Sequence, residues 1–328
     1  MKSLGFGSYA LCSCIAAAML AGCGSQPPSD APGAIPTSRA IATRADRGRS
    51  ALRPDARNLG YKVTTRLLYA TNVGYEDVTA YRATAKDPAP LATITDDIVI
   101  PGGACIDGEG TLYVTNEPAS GGWVSEYPLG QTAPSRTITD GINEPGYCAI
   151  DAKGNLWVAN IDGPNVTQYL KGSTKPHTVI TEGIQYPVGV AIDRSGNLYV
   201  GNGNGAPQKN VEVFAPGSKS PSRTITNGVT SPLGLAVDAN GILYVANGNQ
   251  NAVAEYLSGQ GDPFQTITEA MDYPAGVTID KKGTLYVSNI SNSTVVEFAP
   301  GSLKPLNRQI SKGLYEPYGI AYYPALLP

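Results

Sequence analysis

The chain has 328 residues, a formal net charge of -3 and only 16% charged residues, so it lacks the basic surface expected of a nucleic-acid binder. Its single histidine, His177, excludes mechanisms that need several imidazoles and leaves a Ser-His-Asp triad only one possible base. With 38 glycines and 26 prolines the chain far exceeds the roughly 12% of average Gly plus Pro usage, which favours short strands joined by tight turns.

The first element is a targeting segment. Lys2 precedes the largely apolar run Leu11 to Leu20, and Leu20-Ala21-Gly22-Cys23 follows. A charge, a short apolar core and small residues make a secretory signal, too short to cross ~30 Å of hydrocarbon as a stable helix. The cysteine directly after the small pair resembles the lipobox of bacterial lipoproteins. That resemblance implies cleavage after residue 22 and lipidation of Cys23, with several acyl chains giving stable anchoring where one would be marginal. Gly24 stands where the family's inner-membrane retention signal is Asp. The implied location is the cell envelope, and the outer membrane in a Gram-negative host.

Residues 23–60 read as a disordered tether. Pro27, Pro28, Pro32, Pro36 and Pro54 interrupt any periodicity among residues dominated by Ala, Ser and Arg. Arg39, Arg44, Arg47, Arg49, Arg53 and Arg57 outnumber Asp46 and Asp55 in their stretch. They make either a solvated linker or a segment drawn to anionic headgroups.

From residue 66 one phrase recurs: Leu68-Tyr-Ala-Thr-Asn72, Leu112-Tyr-Val-Thr-Asn116, Leu156-Trp-Val-Ala-Asn160, Leu198-Tyr-Val-Gly-Asn202, Leu243-Tyr-Val-Ala-Asn247 and Leu285-Tyr-Val-Ser-Asn289. The asparagines are 44, 44, 42, 45 and 42 residues apart. Each unit holds four short β-type segments, here called a to d. In one unit these are Gly189–Ile192, Leu198–Gly201, Val211–Phe214 and Arg223–Thr226. Between a and b stands Asp-x-x-Gly, at Asp107/Gly110, Asp151/Gly154, Asp193/Gly196, Asp238/Gly241 and Asp280/Gly283. Asp accepts hydrogen bonds from the turn backbone and Gly supplies positive φ, so these aspartates are turn formers rather than catalytic acids.

Four-stranded units of this length are the signature of a β-propeller blade. The first unit begins at strand b, and the last stretch, Pro317–Tyr322, is a strand a without a following b. The fold predicted for residues 61–328 is therefore all-β: a six-bladed β-propeller of four-stranded antiparallel blades. The N- and C-terminal segments share one blade and close the ring.

Residues 66 to 323 resemble NHL-type six-bladed propellers through Pro-x-Gly-x-Ala-x-Asp-x-x-Gly-x-Leu-Tyr-Val-x-Asn and the following Val-x-Glu-Tyr/Phe. Where NHL repeats commonly end strand b in Asp, this chain has Asn in all six units. Propellers host binding modules and enzymes alike. The resemblance to α-amidating lyases implies a zinc site of several histidines, which His177 alone cannot form. The resemblance to gluconolactonase-type propellers implies a divalent cation in the axial channel on oxygen ligands. Glu144, Glu316 and Asp97 are the acids placed for it, against strand-b ends that supply only uncharged Asn.

What remains is a surface. The d–a and b–c connections share one face and carry Tyr147, Tyr186, Tyr273, Tyr315 and Tyr318, with Trp123 and the amide-rich strings around Asn204 and Asn249. Tyr and Trp offer large apolar area with a polar edge, and Asn offers donors and acceptors without charge. The alternative is packing of the tyrosines between blades, with the six strand-b asparagines capping the b–c turns. Cys105 and Cys148 fall in strand a of adjacent units. Sheets pack ~10 Å apart and a disulfide needs Cα atoms within ~7 Å, which favours buried free thiols over a bridge.

The expected protein is a monomeric, lipid-anchored envelope propeller that binds a protein, peptide or glycan, not nucleic acid, through its Tyr/Asn-rich face. No cofactor, catalytic residue or metal ligand is assigned. A metal-dependent lactonase or lyase with a channel cation is the alternative.

Overall fold

The computed structural model describes residues 66–118, 121–203 and 205–326. The expected signal peptide (1–22), lipidated Cys23, tether (23–60) and Asn204 lie outside the described residues. Among the described residues are six four-stranded antiparallel sheets and one short 3₁₀ turn, Gly248–Gln250. The innermost strand a of each blade is, in order of blades one to six, Pro317–Tyr323, Pro101–Ile106, Pro145–Ile150, Pro187–Ile192, Pro232–Val237 and Pro274–Ile279. Each packs on its two neighbours, and Pro317–Tyr323 lies between Pro274–Ile279 and Pro101–Ile106, so the ring closes. In blade one Pro317–Tyr323 pairs antiparallel with Leu67–Asn72, Leu68 facing Tyr322 and Ala70 facing Ile320. The two ends of the propeller thus share one sheet, as the repeat phase predicts.

The repeat residues explain the ring. Asp107, Asp151, Asp193, Asp238 and Asp280 each accept, on Oδ1, the N–H groups two and four residues on at 2.8–2.9 Å. Strand c ends in Tyr127, Tyr169, Phe214, Tyr256 or Phe298, or has Tyr81 next to last, each at most 1% exposed. The hydroxyls of Tyr81, Tyr127, Tyr169 and Tyr256 donate to the carbonyls of Lys312, Asp96, Asp140 and Asn227 in the connections arriving from the preceding blade. A ring that is mostly apolar thereby satisfies loop carbonyls that burial would leave orphaned.

The glycine of Pro-x-Gly-x-Ala sets how tightly the blades converge. A Cβ on Gly189, Gly234 or Gly276 would lie 2.1–2.5 Å from the carbonyl oxygen of the next inner strand, at Leu233, Ala275 or Tyr318. Blade three has Tyr147 at this position, and there Gly146 takes the close approach, its Cβ site 2.6 Å from the Val188 oxygen.

That convergence overturns the expectation of free thiols. Cys105 and Cys148 are disulfide-bonded, with Cα atoms 5.7 Å apart. The ~10 Å spacing holds for sheets packed face to face, whereas inner strands at a propeller axis approach to backbone contact, within disulfide reach.

Candidate functional site

The d–a and b–c connections meet at one end of the ring. The six strand-b asparagines organise this end, and the expected b–c role is only part of it: Nδ2 of Asn72, Asn160, Asn202 and Asn289 donates across the b–c turn to the side chains of Asp77, Asn165, Asn210 and Thr294 rather than to turn backbone. Asn72, Asn116, Asn160, Asn202, Asn247 and Asn289 are at most 1% exposed. Their Oδ1 atoms accept from the backbone N–H of Tyr315, Val99, Asn143, Gln185, Thr230 and Asp272, at 2.9–3.2 Å, in the connection that leads into strand a. In four blades Nδ2 also donates to a carbonyl of that connection, Gly141, Gly183, Gly228 or Ala270, at 2.9–3.1 Å. Asp could accept the first bond but not donate the second, and it would bury a charge.

The pinned connections deliver strained residues to the channel mouth. Ile100, Glu144, Tyr273 and Glu316, each directly before a strand-a proline, have φ of 44°, 45°, 57° and 51°. Left-handed backbone is costly for non-glycine residues and persists only where the surroundings enforce it. Here it is enforced at four of six equivalent positions around one opening.

Two tyrosines expected on the surface form the floor of that opening. Tyr147 and Tyr318 are 6% and 9% exposed, and their rings lie 5.3 Å apart at 31°. The Tyr147 hydroxyl donates to the Tyr318 carbonyl at 3.3 Å, so Tyr147 belongs to the core rather than to the contact surface. Burial drives both hydroxyl pKa values well above the ordinary tyrosine range. Tyr186 and Tyr273, half-buried, pack against the same cluster together with Ile100 and Ile290. Tyr315 is half-buried farther out, its ring centroid 5.2 Å from that of the exposed Tyr75.

The remaining expected residues separate. Trp123 begins strand c of blade two and donates its indole N–H to the Asp97 carbonyl at 3.4 Å. Asn249 is exposed on the 3₁₀ turn. Asp97 does not serve the channel: its Oδ2 accepts from Ser125 Oγ at 2.7 Å and Thr137 Oγ1 at 2.9 Å, on the outer strands of blade two. Of the other acids placed for a cation, Glu144 and Glu316 both precede inner-strand prolines at the mouth, in the connections into blades three and one, and Glu144 stands beside a residue that departs from the repeat, Glu117.

Glu117 directly follows the strand-b asparagine of blade two. The equivalent residues are Val73, Ile161, Gly203, Gly248 and Ile290, so aligning the units one position past the asparagine singles it out. Burial, with Glu144 nearby, pushes its carboxyl pKa up to about 7. Burial also raises Tyr186 and Tyr273, and for Tyr186 the charges of Glu117 and Glu144 add to it. The mouth is thus an aromatic bowl with two carboxylates on one side. It suits binding through flat apolar contact and charge-assisted hydrogen bonds.

No family sequence model matches the chain, and no curated protein matches it in sequence. Solved structures share its fold. A chain of a nidogen/laminin complex superposes with a TM-score of 0.66 at 18% identity, over 78% of this chain and 98% of that one. A Bacteroides caccae protein of unknown function gives 0.64 at 13% identity, over 79% and 99%. Hydrazine synthase from Kuenenia stuttgartiensis gives 0.55 at 17% identity, over 70% and 72%.

Proposed function

We propose that this propeller, of NHL type, is a binding module of the cell envelope. It is anchored through Cys23 and receives a protein or peptide partner on the face formed by the d–a and b–c connections. The observation that carries this reading is the gathering of Tyr75, Tyr186, Tyr273 and Tyr315, all reaching solvent, around one strained and braced opening. Rigid aromatic side chains supply large contact area at low entropic cost, which is what recognition surfaces use. The nidogen/laminin neighbour supports protein binding by this fold in general. The test is site-specific photocross-linking in the native envelope, with a photoreactive residue replacing Tyr75 or Asn249 on this face, or Lys219 or Lys282 in the opposite turns. Adducts from the first pair and not the second are expected. Adducts confined to the second pair contradict the reading.

A further inference from the structure

The mouth carries polar groups that the fold itself leaves unanswered. Tyr318 is nine-tenths buried, and the groups within its electrostatic reach are Glu117, Tyr186 and Tyr273. The Tyr273 hydroxyl is fully covered and has no hydrogen-bond partner among the described residues, and the same holds for the Thr230 and Ser231 hydroxyls before the neighbouring strand-a proline. The Glu117 carboxyl receives no hydrogen bond among the described residues, and the one charge acting on it is the like charge of Glu144. Other acids of this protein have cationic or hydroxyl partners: Glu126 is clasped by Arg136 through two bonds of 2.9 and 2.7 Å, Glu212 accepts from Thr224 at 2.7 Å, and Glu297, though without a hydrogen bond, has Arg308 3.1 Å from its carboxylate. A half-buried carboxylate beside a like charge is costly, and so is a covered hydroxyl without a partner.

A ligand that repairs this arrangement must bring positive charge, several N–H donors and a body that tolerates aromatic walls. Guanidinium and ammonium groups meet all three conditions: they donate to carboxylates, and they sit favourably against tyrosine faces. An anion meets the same-sign charges of Glu117 and Glu144, and a neutral group leaves the carboxylates uncompensated.

We infer that the channel mouth is a socket for one basic side chain of the partner, held by Glu117 and Glu144 above the Tyr147–Tyr318 floor and flanked by Tyr186 and Tyr273. This rests on the face assignment above and adds the chemistry of the residue that enters. The groups facing Glu117 are Glu144 from the connection into blade three, and Tyr186 and Tyr318 from blades four and one. Protonation of Glu117 therefore weakens the socket, and binding falls as pH drops from 8 to 6.

The experiment titrates the purified propeller with nine-residue Gly/Ser peptides whose central residue is Arg, Lys, Gln or Glu, following tyrosine ring resonances by NMR. Arg or Lys peptides are expected to bind at least tenfold more tightly than the Gln and Glu peptides. Glu117→Gln should remove that preference, Tyr318→Phe should weaken it a few-fold, and unchanged melting would show that both variants fold. Should Glu117→Gln fail to fold, Glu144→Gln reads the same preference from the rim. Equal affinity for all four peptides, absence of binding included, overturns the socket, as does a basic preference that survives Glu117→Gln. If cross-links still map to Tyr75 and Asn249, the socket falls and the face assignment stands; if they map only to Lys219 and Lys282, the face assignment falls whatever the peptides do.

Discussion

The two ends of the axial channel are built from the same six strands and differ in how completely they are finished. Toward the a–b end the channel holds a cavity of about 130 Å³, lined by residues such as Ala104, Ile150, Val190 and Val277 and by Ala325 and Leu326. There every turn aspartate has its hydrogen bonds and the Cys105–Cys148 bridge ties two inner strands, while the acid that lacks a hydrogen bond near this end, Glu297, sits away from the axis in strand c of blade six. At the opposite end the same strands open onto strained residues, unpartnered hydroxyls and an unpaired acid. Where the repeat is kept, residues close the fold; where it is broken, at Glu117 and Tyr147, residues shape a site.

The largest test of this contrast removes the seam. Deleting residues 314–328 takes away the inner strand of blade one and the bonds by which the ring closes. Loss of cooperative thermal unfolding is expected, and an unchanged melting temperature would mean that the terminal pairing does not hold the ring. Next comes a single donor. Asn160→Asp retains the acceptor for Asn143 N–H but loses the bond to the Gly141 carbonyl and buries a charge at a site 0% exposed. We expect about 3 kcal/mol of destabilisation by denaturant titration, and clearly less for an exposed control such as Asn249→Asp. Replacing Cys105 and Cys148 together by Ser removes a cross-link spanning 43 residues and should lower stability by roughly 3 kcal/mol. It should leave the mouth's peptide preference intact.

The smallest effect separates the two ends most finely, because each holds an acid whose pKa burial raises to about 7. Glu297 is fully buried near the a–b end, with Arg308 3.1 Å from its carboxylate but out of hydrogen-bonding geometry. Glu117 is its counterpart at the mouth. A folded pKa above the unfolded value of 4.5 means that the folded chain holds a proton the unfolded chain has released. Stability is therefore full below pH 4.5 and falls as pH rises to about 7, by at most about 3 kcal/mol for each group. Glu117→Gln and Glu297→Gln should each flatten part of that slope in pH-dependent unfolding. Only Glu117→Gln should also change peptide binding.

The ring, its phase and its seam were legible in the sequence because they rest on local chemistry repeated six times: Asp-x-x-Gly turns, alternating strands and an orphan strand a at the C-terminus. Three features were not legible, each for a long-range reason. The disulfide depended on how far glycines let inner strands converge, which the rule for flat packed sheets misjudges. The asparagines serve the connection into strand a, 16 to 19 residues upstream in five blades and across the ring seam for Asn72, as well as the first side chain of strand c in four blades. Tyr147 and Tyr318 look like surface residues beside prolines, yet Gly102 and Gly103 in the blade between them leave the room over the axis that the two rings fill. Glu117 was visible only as a departure from the repeat, and motif reading attends to what recurs.

The most direct measurement is hydroxyl-radical footprinting of the protein in its native envelope against the purified chain. The account predicts protection in the envelope of Tyr75, Tyr186, Tyr273 and Tyr315 around the mouth. Tyrosines as reactive in the envelope as in the purified chain, with protection only at Leu170, Leu257 and Leu303 in the c–d turns, would contradict it.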